Sequence, residues 1–140
     1  MMLAPLRIYH FIFGLVLLAA LVGGTAHAQS DKDKAFAAIE DAIRTNNADA
    51  LATHFHQQVQ ITLKETDQAY QKGQAKFVME QFFREAPARN FKLLHKGNMG
   101  DSFYGSGKYY TANGVYDANV FLKRRGERLV IEQLMFQRSR

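Results

Sequence analysis

His95 is the residue whose type best suits proton transfer, because an imidazole titrates near neutral pH. A general base also needs a second polar group to orient it. Asp67 is the nearest acidic candidate, and it comes from a loop. Four more side chains have useful chemistry if they converge. Tyr70, Tyr109 and Tyr116 offer hydroxyls, and Gln133 offers an amide in the middle of an otherwise apolar strand face. A buried amide left unpaired costs ~1–3 kcal/mol, so Gln133 either orients a ligand or bonds to a neighbouring backbone or tyrosine. Tyr70, His95, Tyr109, Tyr116 and Gln133 are therefore the candidate ligand-binding set, and none is assigned a catalytic role.

Other constellations read as structure first. His54 and His56 with His95 invite a metal, but an i, i+2 pair points two ways and no third ligand has convincing spacing. No metal and no cofactor is expected. Tyr104, Tyr109, Tyr110 and Tyr116 crowd one hairpin, where they either pack the sheet or form a stacking platform for sugars or flat ligands. Lys123, Arg124, Arg125 and Arg128 crowd a turn and read as a charged hairpin tip that keeps a sheet edge soluble. There is no phosphate-binding glycine loop and no serine nucleophile motif. Cysteine is absent, which excludes disulfides, thiolate metal sites and a cysteine nucleophile.

The elements that must position these groups begin after an address. Arg7 is the only charge before Asp31, and Phe11 to Val22 is apolar apart from Gly14. That run is shorter than the ~20 residues that span a bilayer and fits a signal-peptide core. Gly23-Gly24 is expected to break it, and Ala26-His27-Ala28 is a small-x-small cleavage pattern. Residues 1–28 are read as a signal peptide and 29–140 as one domain, with no stable membrane insertion after cleavage. The expected setting is the periplasm or the exterior, which argues against a nucleic-acid partner. The mature chain keeps 17 basic against 13 acidic residues. Without cysteine it must be held by packing alone.

Ser30 is a candidate N-cap for a first helix that carries Phe36, Ile39, Ala42 and Ile43 on one side and ends at Asn46-Asn47. A short second helix places Leu51 and Phe55 inward. Val59, Ile61 and Leu63 alternate as a strand, and Lys64 to Asp67 reads as a polar connection. A third helix spans about Gly73 to Ala86, with Ala75, Val78, Met79, Phe82 and Phe83 along its stripe and Pro87 after it. Strand patterns follow. Phe91, Leu93 and His95 share one side. Asn113-Gly114 is expected to centre a hairpin turn that sets Tyr109 opposite Ala118, and Gly126-Glu127 a second that sets Leu122 opposite Ile131.

That register sorts two faces. The inner one carries Tyr109, Tyr116, Ala118, Val120, Leu122, Leu129, Ile131, Gln133 and Met135. The outer one carries Tyr110, Asp117, Asn119, Phe121, Val130, Glu132, Leu134 and Phe136. An exposed strip of Phe121, Val130, Leu134 and Phe136 would be an interface, and a homodimer is the expected use. The fold class is α+β, with three N-terminal helices packed on a curved antiparallel sheet.

Several stretches resemble one bacterial family in order and spacing. They are Ala69-Tyr70-Gln71-Lys72-Gly73-Gln74-Ala75, the Phe82-Phe83 pair, Asn90 to Gly97, the Asn113-Gly114 hairpin, Phe121-Leu122-Lys123 and Ile131-Glu132-Gln133-Leu134. The chain is similar there to the domain of unknown function 4783 family, within the nuclear transport factor 2-like (cystatin-like) fold. The resemblance covers about Phe36 to Phe136 and implies a cone with a pocket between sheet and helices, in an exported protein. It implies no reaction. The expected function is a non-catalytic module for a small ligand or an envelope protein, with a pocket enzyme using His95 and a tyrosine as the alternative.

Overall fold

The computed structural model describes residues 23–140. The apolar run from Phe11 to Val22, the core of the expected signal peptide, lies outside the described residues. Two compact units divide at Asp33 and Lys34, and the second, Lys34–Arg140, holds the whole sheet and the core.

Helix α1 spans Gly23–Arg44, so Gly23 and Gly24 open a helix rather than break one, and Ser30 lies inside it rather than capping it. Phe36, Ile39, Ala42 and Ile43 recur at helical spacing and are fully buried or nearly so. The helix ends where the left-handed Asn46 (φ 56°) reverses the chain. Asn47 then caps the short helix α2, Ala48–Ala52, by accepting the Ala50 N–H at 2.9 Å. Asn46 does more than end a helix. Its side-chain oxygen accepts the Ala88 N–H at 2.7 Å and its amide donates to the Ala88 carbonyl at 3.3 Å.

Strand β1 spans Phe55–Leu63, so Phe55 starts a strand rather than ending a helix. Strand β2, Thr66–Gln71, begins within the expected polar connection and returns antiparallel along β1. Helix α3, Lys72–Glu85, follows at once and buries Ala75, Met79, Phe82 and Phe83. Two helices, not three, therefore precede the sheet, and the third is inserted between β2 and β3. Strands β3 (Asn90–Met99), β4 (Ser102–Thr111), β5 (Gly114–Arg125) and β6 (Arg128–Arg138) form the meander. The sheet order is β2-β1-β6-β5-β4-β3. It is mixed rather than antiparallel throughout, because β1 runs parallel to β6.

The β4–β5 turn lies one residue earlier than expected, which shifts the strand pairing by two residues. Thr111 pairs with Gly114, so the loop is Ala112-Asn113 and Tyr109 faces Tyr116 instead of Ala118. The Thr111 hydroxyl braces this turn, accepting the Asn113 N–H at 3.2 Å and donating to the Gly114 carbonyl at 2.8 Å. A shift of two residues leaves both faces intact. The β5–β6 turn at Gly126-Glu127 sets Leu122 against Ile131 as the sequence implies.

Two register breaks then change which side chains go inside. In β6 an extra residue, Glu132, lets Ile131 pair with Leu122 while Gln133 pairs with Phe121. In β3 Leu94 is the extra residue, with Leu93 opposite Gly107 and His95 opposite Ser106. Each extra residue inverts the alternation beyond it. Leu134 and Phe136 thus enter the core at 0 % exposure, and Gln133 and Met135 turn to the other face. The β3 break has visible supports. The Leu93 N–H is accepted by Glu40 of α1 at 2.8 Å. A Cβ at Gly107 would stand 1.9 Å from the Lys92 carbonyl oxygen, so only glycine allows the two backbones this close.

Candidate functional site

The space between α3 and the inner sheet face is the expected pocket, and aromatic side chains fill it. Phe82 is the hub. Its ring centroid lies 5.1 Å from Phe136, 5.4 Å from Tyr109 and 5.7 Å from Tyr116, the last edge-on. Tyr109 also meets Phe136 edge-on at 5.3 Å. Such pairs add about 0.5–1.5 kcal/mol each beyond area burial. The Tyr109 hydroxyl donates to the Ala86 carbonyl at 2.5 Å. Desolvation, with a smaller contribution from Tyr116, pushes its pKa well above the usual phenol value, so it stays protonated.

The five candidate ligand residues do not converge. Tyr109 and Tyr116 adjoin in the core, centroids 6.0 Å apart, as packing residues. His95 and Gln133, expected inside the cone, are placed on the outer face by the two register breaks. His95 and Tyr109 thus lie on opposite faces of the sheet. Tyr70 sits partly buried at the rim, its hydroxyl 3.3 Å from Gln68 Oε1. Asp67, considered as an orienting acid, is held by Gln60 and Thr62, each at 2.8 Å, and these bonds lower its pKa. Of the expected interface strip, Leu134 and Phe136 belong to the core, Phe121 stays half-buried on the outer face, and Val130 is 7 % exposed. The continuous apolar strip that motivated a homodimer does not form.

A groove is open at the rim, between α3 and the β1–β2 hairpin, with a volume of about 260 Å³. Ile61, Leu63, Val78 and Phe82 supply its apolar lining; Lys64, Thr66, Tyr70, Gln81 and Glu85 supply its polar groups. Lys64 adopts a left-handed backbone (φ 57°) in the two-residue turn, and its ammonium lies 3.8 Å from Glu85. Sequence reasoning missed Lys64 and Thr66 because it read this stretch as a connection. The available signal was the polar alternation of Thr66, Gln68 and Tyr70, which share a strand face.

Two arginines of the β5–β6 turn have structural partners. Arg125 pairs with Glu132, with Nε at 3.0 Å, and Arg128 donates to the Thr53 carbonyl at 3.0 Å. His54 lies beside Arg128; burial and that charge lower its pKa from 6.5. Among the described residues no group of three His, Cys, Asp or Glu is placed to hold a metal ion. Among the same residues no helix is long and apolar enough to cross a membrane.

The architecture, α+β with a curved six-stranded sheet, is that of NTF2-like proteins. The chain belongs to the family described as "Domain of unknown function (DUF4783)", whose profile matches residues 36–137. A DUF4783 family protein from Bacteroides ovatus superposes with a TM-score of 0.72 at 22% identity, over 74% of this chain and 94% of that one. One from Bacteroides uniformis gives 0.71 at 22% identity, over 74% and 95%. A proposed dehydratase of the NTF2-like family from Streptomyces avermitilis gives 0.63 at 10% identity, over 79% and 95%. At these identities the likeness is one of fold. No curated protein matches the chain.

Proposed function

We propose that the protein is an exported, non-catalytic binding module that takes a small ligand in the rim groove rather than deep in the cone. The observation that carries this reading is the filled interior. Phe82, Tyr109, Tyr116 and Phe136 occupy the place of a ligand, and the Tyr109 hydroxyl is committed to Ala86. The groove supports it further, with an apolar lining and polar groups around it, the usual make-up of a small-molecule site. Its 260 Å³ lies below the range of about 300–1,000 Å³ typical of drug-sized ligands, so the ligand is small.

The test is a titration of the isotope-labelled full chain with benzoate and hexanoate, followed by amide chemical shifts. Saturable shifts at Leu63, Tyr70 and Val78 are expected, lost when Val78→Trp fills the groove. No shifts there with either probe would overturn the reading. Export is tested separately: the mass of protein recovered from the periplasm should correspond to a chain beginning at Gln29. Recovery of a chain that still begins at Met1 would remove export from the proposal.

A further inference from the structure

We propose that the outer face of the sheet carries a second site, independent of the rim groove, for a neutral saccharide stacked on Tyr104. Strand register builds it. Gln133, Phe121, Tyr104 and Gly97 form one transverse row across β6, β5, β4 and β3. Met135, Asn119, Ser106 and His95 form the next. A Cβ at Gly97 would lie 2.4 Å from both the hydroxyl oxygen and the Cζ of Tyr104. The ring therefore lies down over the glycine backbone instead of standing off the sheet, an aromatic covering a strand glycine. Tyr104 remains 38% exposed, so its outward side is open. A ring held in place with one side open is a stacking surface for the C–H face of a pyranose, and tyrosine supplies that area at low conformational cost.

Polar groups occupy the next two rows of the same face. A depression of about 270 Å³ on this face is lined in part by His95, Ser106, Asn119, Lys108 and Asp117. Lys108 and Ser139 both donate to Oδ1 of Asp117, which leaves Oδ2 to accept from a sugar hydroxyl. The Asn119 amide nitrogen reaches only the Met135 sulfur, at 3.8 Å, so its bonding capacity is largely unused. Neither row carries a Lys, Arg, Asp or Glu side chain. In the adjoining row the Lys108–Asp117 pair neutralises itself, while Lys92, opposite Lys108, and Lys123, next to the Tyr104 row, keep their charge at the margins. The uncharged rows favour a neutral polyol over an ion.

The experiment titrates the isotope-labelled full chain with maltotriose, cellotriose and tri-N-acetylchitotriose. At least one should give saturable amide shifts at Gly97, Tyr104, Ser106 and Asn119, with Leu63 and Tyr70 of the rim groove unmoved. Tyr104→Ala should weaken that binding roughly tenfold or more, and Tyr104→Phe should retain it. Gly97→Ala keeps every side chain of the site but lifts the ring, and should weaken binding likewise; should it fail to fold, the Ala and Phe variants at 104 decide. No saturable shift with any of the three at about 10 mM would overturn the proposal, as would binding indifferent to Tyr104→Ala. Concentration-dependent shifts on this face without sugar, abolished by Tyr104→Ala, would give the face to a second copy of the chain and overturn it too.

Discussion

Tyr109 places its hydroxyl at the edge of an aromatic cluster, with the carbonyl of Ala86 as its outlet. Removing that hydroxyl leaves a carbonyl beside the core without its donor. Tyr109→Phe is therefore expected to cost about 1–3 kcal/mol in urea unfolding, with an unchanged denaturant dependence. An unchanged midpoint would mean that the hydroxyl contributes nothing there. His54 makes a pH-dependent contribution. Burial and Arg128 lower its folded pKa below 6.5, so the unfolded chain takes up a proton before the native one does. The His54 contribution should be constant above about pH 7.5 and fall as pH drops through the ordinary histidine range, until the native residue is also protonated. His54→Gln should remove that segment of the curve. Asp117, lowered chiefly by its bond to Lys108, and Asp67, lowered by Gln60 and Thr62, are expected to add losses only at more acidic pH. A pH profile identical in parent and His54→Gln would contradict this account.

At the scale of elements, the two extra residues in β3 and β6 matter more than any single side chain. They send His95 and Gln133 outward and Leu134 and Phe136 inward. The β3 break depends on Gly107, where a side chain would strike the Lys92 carbonyl. Gly107→Ala should cost about 1–3 kcal/mol and shift the amides of Leu93 and His95, while the neighbouring Ser106→Ala should stay within about 0.5 kcal/mol. Equal and small effects at both positions would mean that the close approach is not required. The helices were more legible than the strands. The stripe of Phe36, Ile39 and Ile43, the stop at Asn46-Asn47 and the end of α3 before Pro87 are local signals, and the structure follows them.

The unit Lys34–Arg140, in a chain without cysteine, is held by one aromatic-rich core. Its stability should track the faces as the structure assigns them. Phe136→Ala is expected to cost about 3–5 kcal/mol and Leu122→Ala about 2–5 kcal/mol. Met135→Ala, on the half-buried outer side, should cost clearly less than Phe136→Ala. The reverse order in urea unfolding would mean that β6 runs without its extra residue and that the sheet alternation is uninterrupted. A filled core also bears on function at this scale. On the proposed reading, binding is displaced from the centre of the cone to its rim and its outer face, where side chains can meet a ligand without unpacking the core.

Residue order alone determined the helical stripes, the turn at Gly126-Glu127, the inner placement of Tyr109, Tyr116, Ala118, Val120, Leu122 and Ile131, and the family. Each of these rests on a short-range period or a local turn preference. Tertiary structure decided the rest. Strand β2 has no apolar alternation to announce it, because one of its faces lines only the rim. The extra residue in β3 is braced by Glu40, 53 positions away from Leu93, and by a glycine on the facing strand. Period-2 reading assumes an unbroken ladder, and a break set by partners distant in sequence inverts every side chain beyond it. That is why the inner positions were readable up to Ile131 and the candidate site was not.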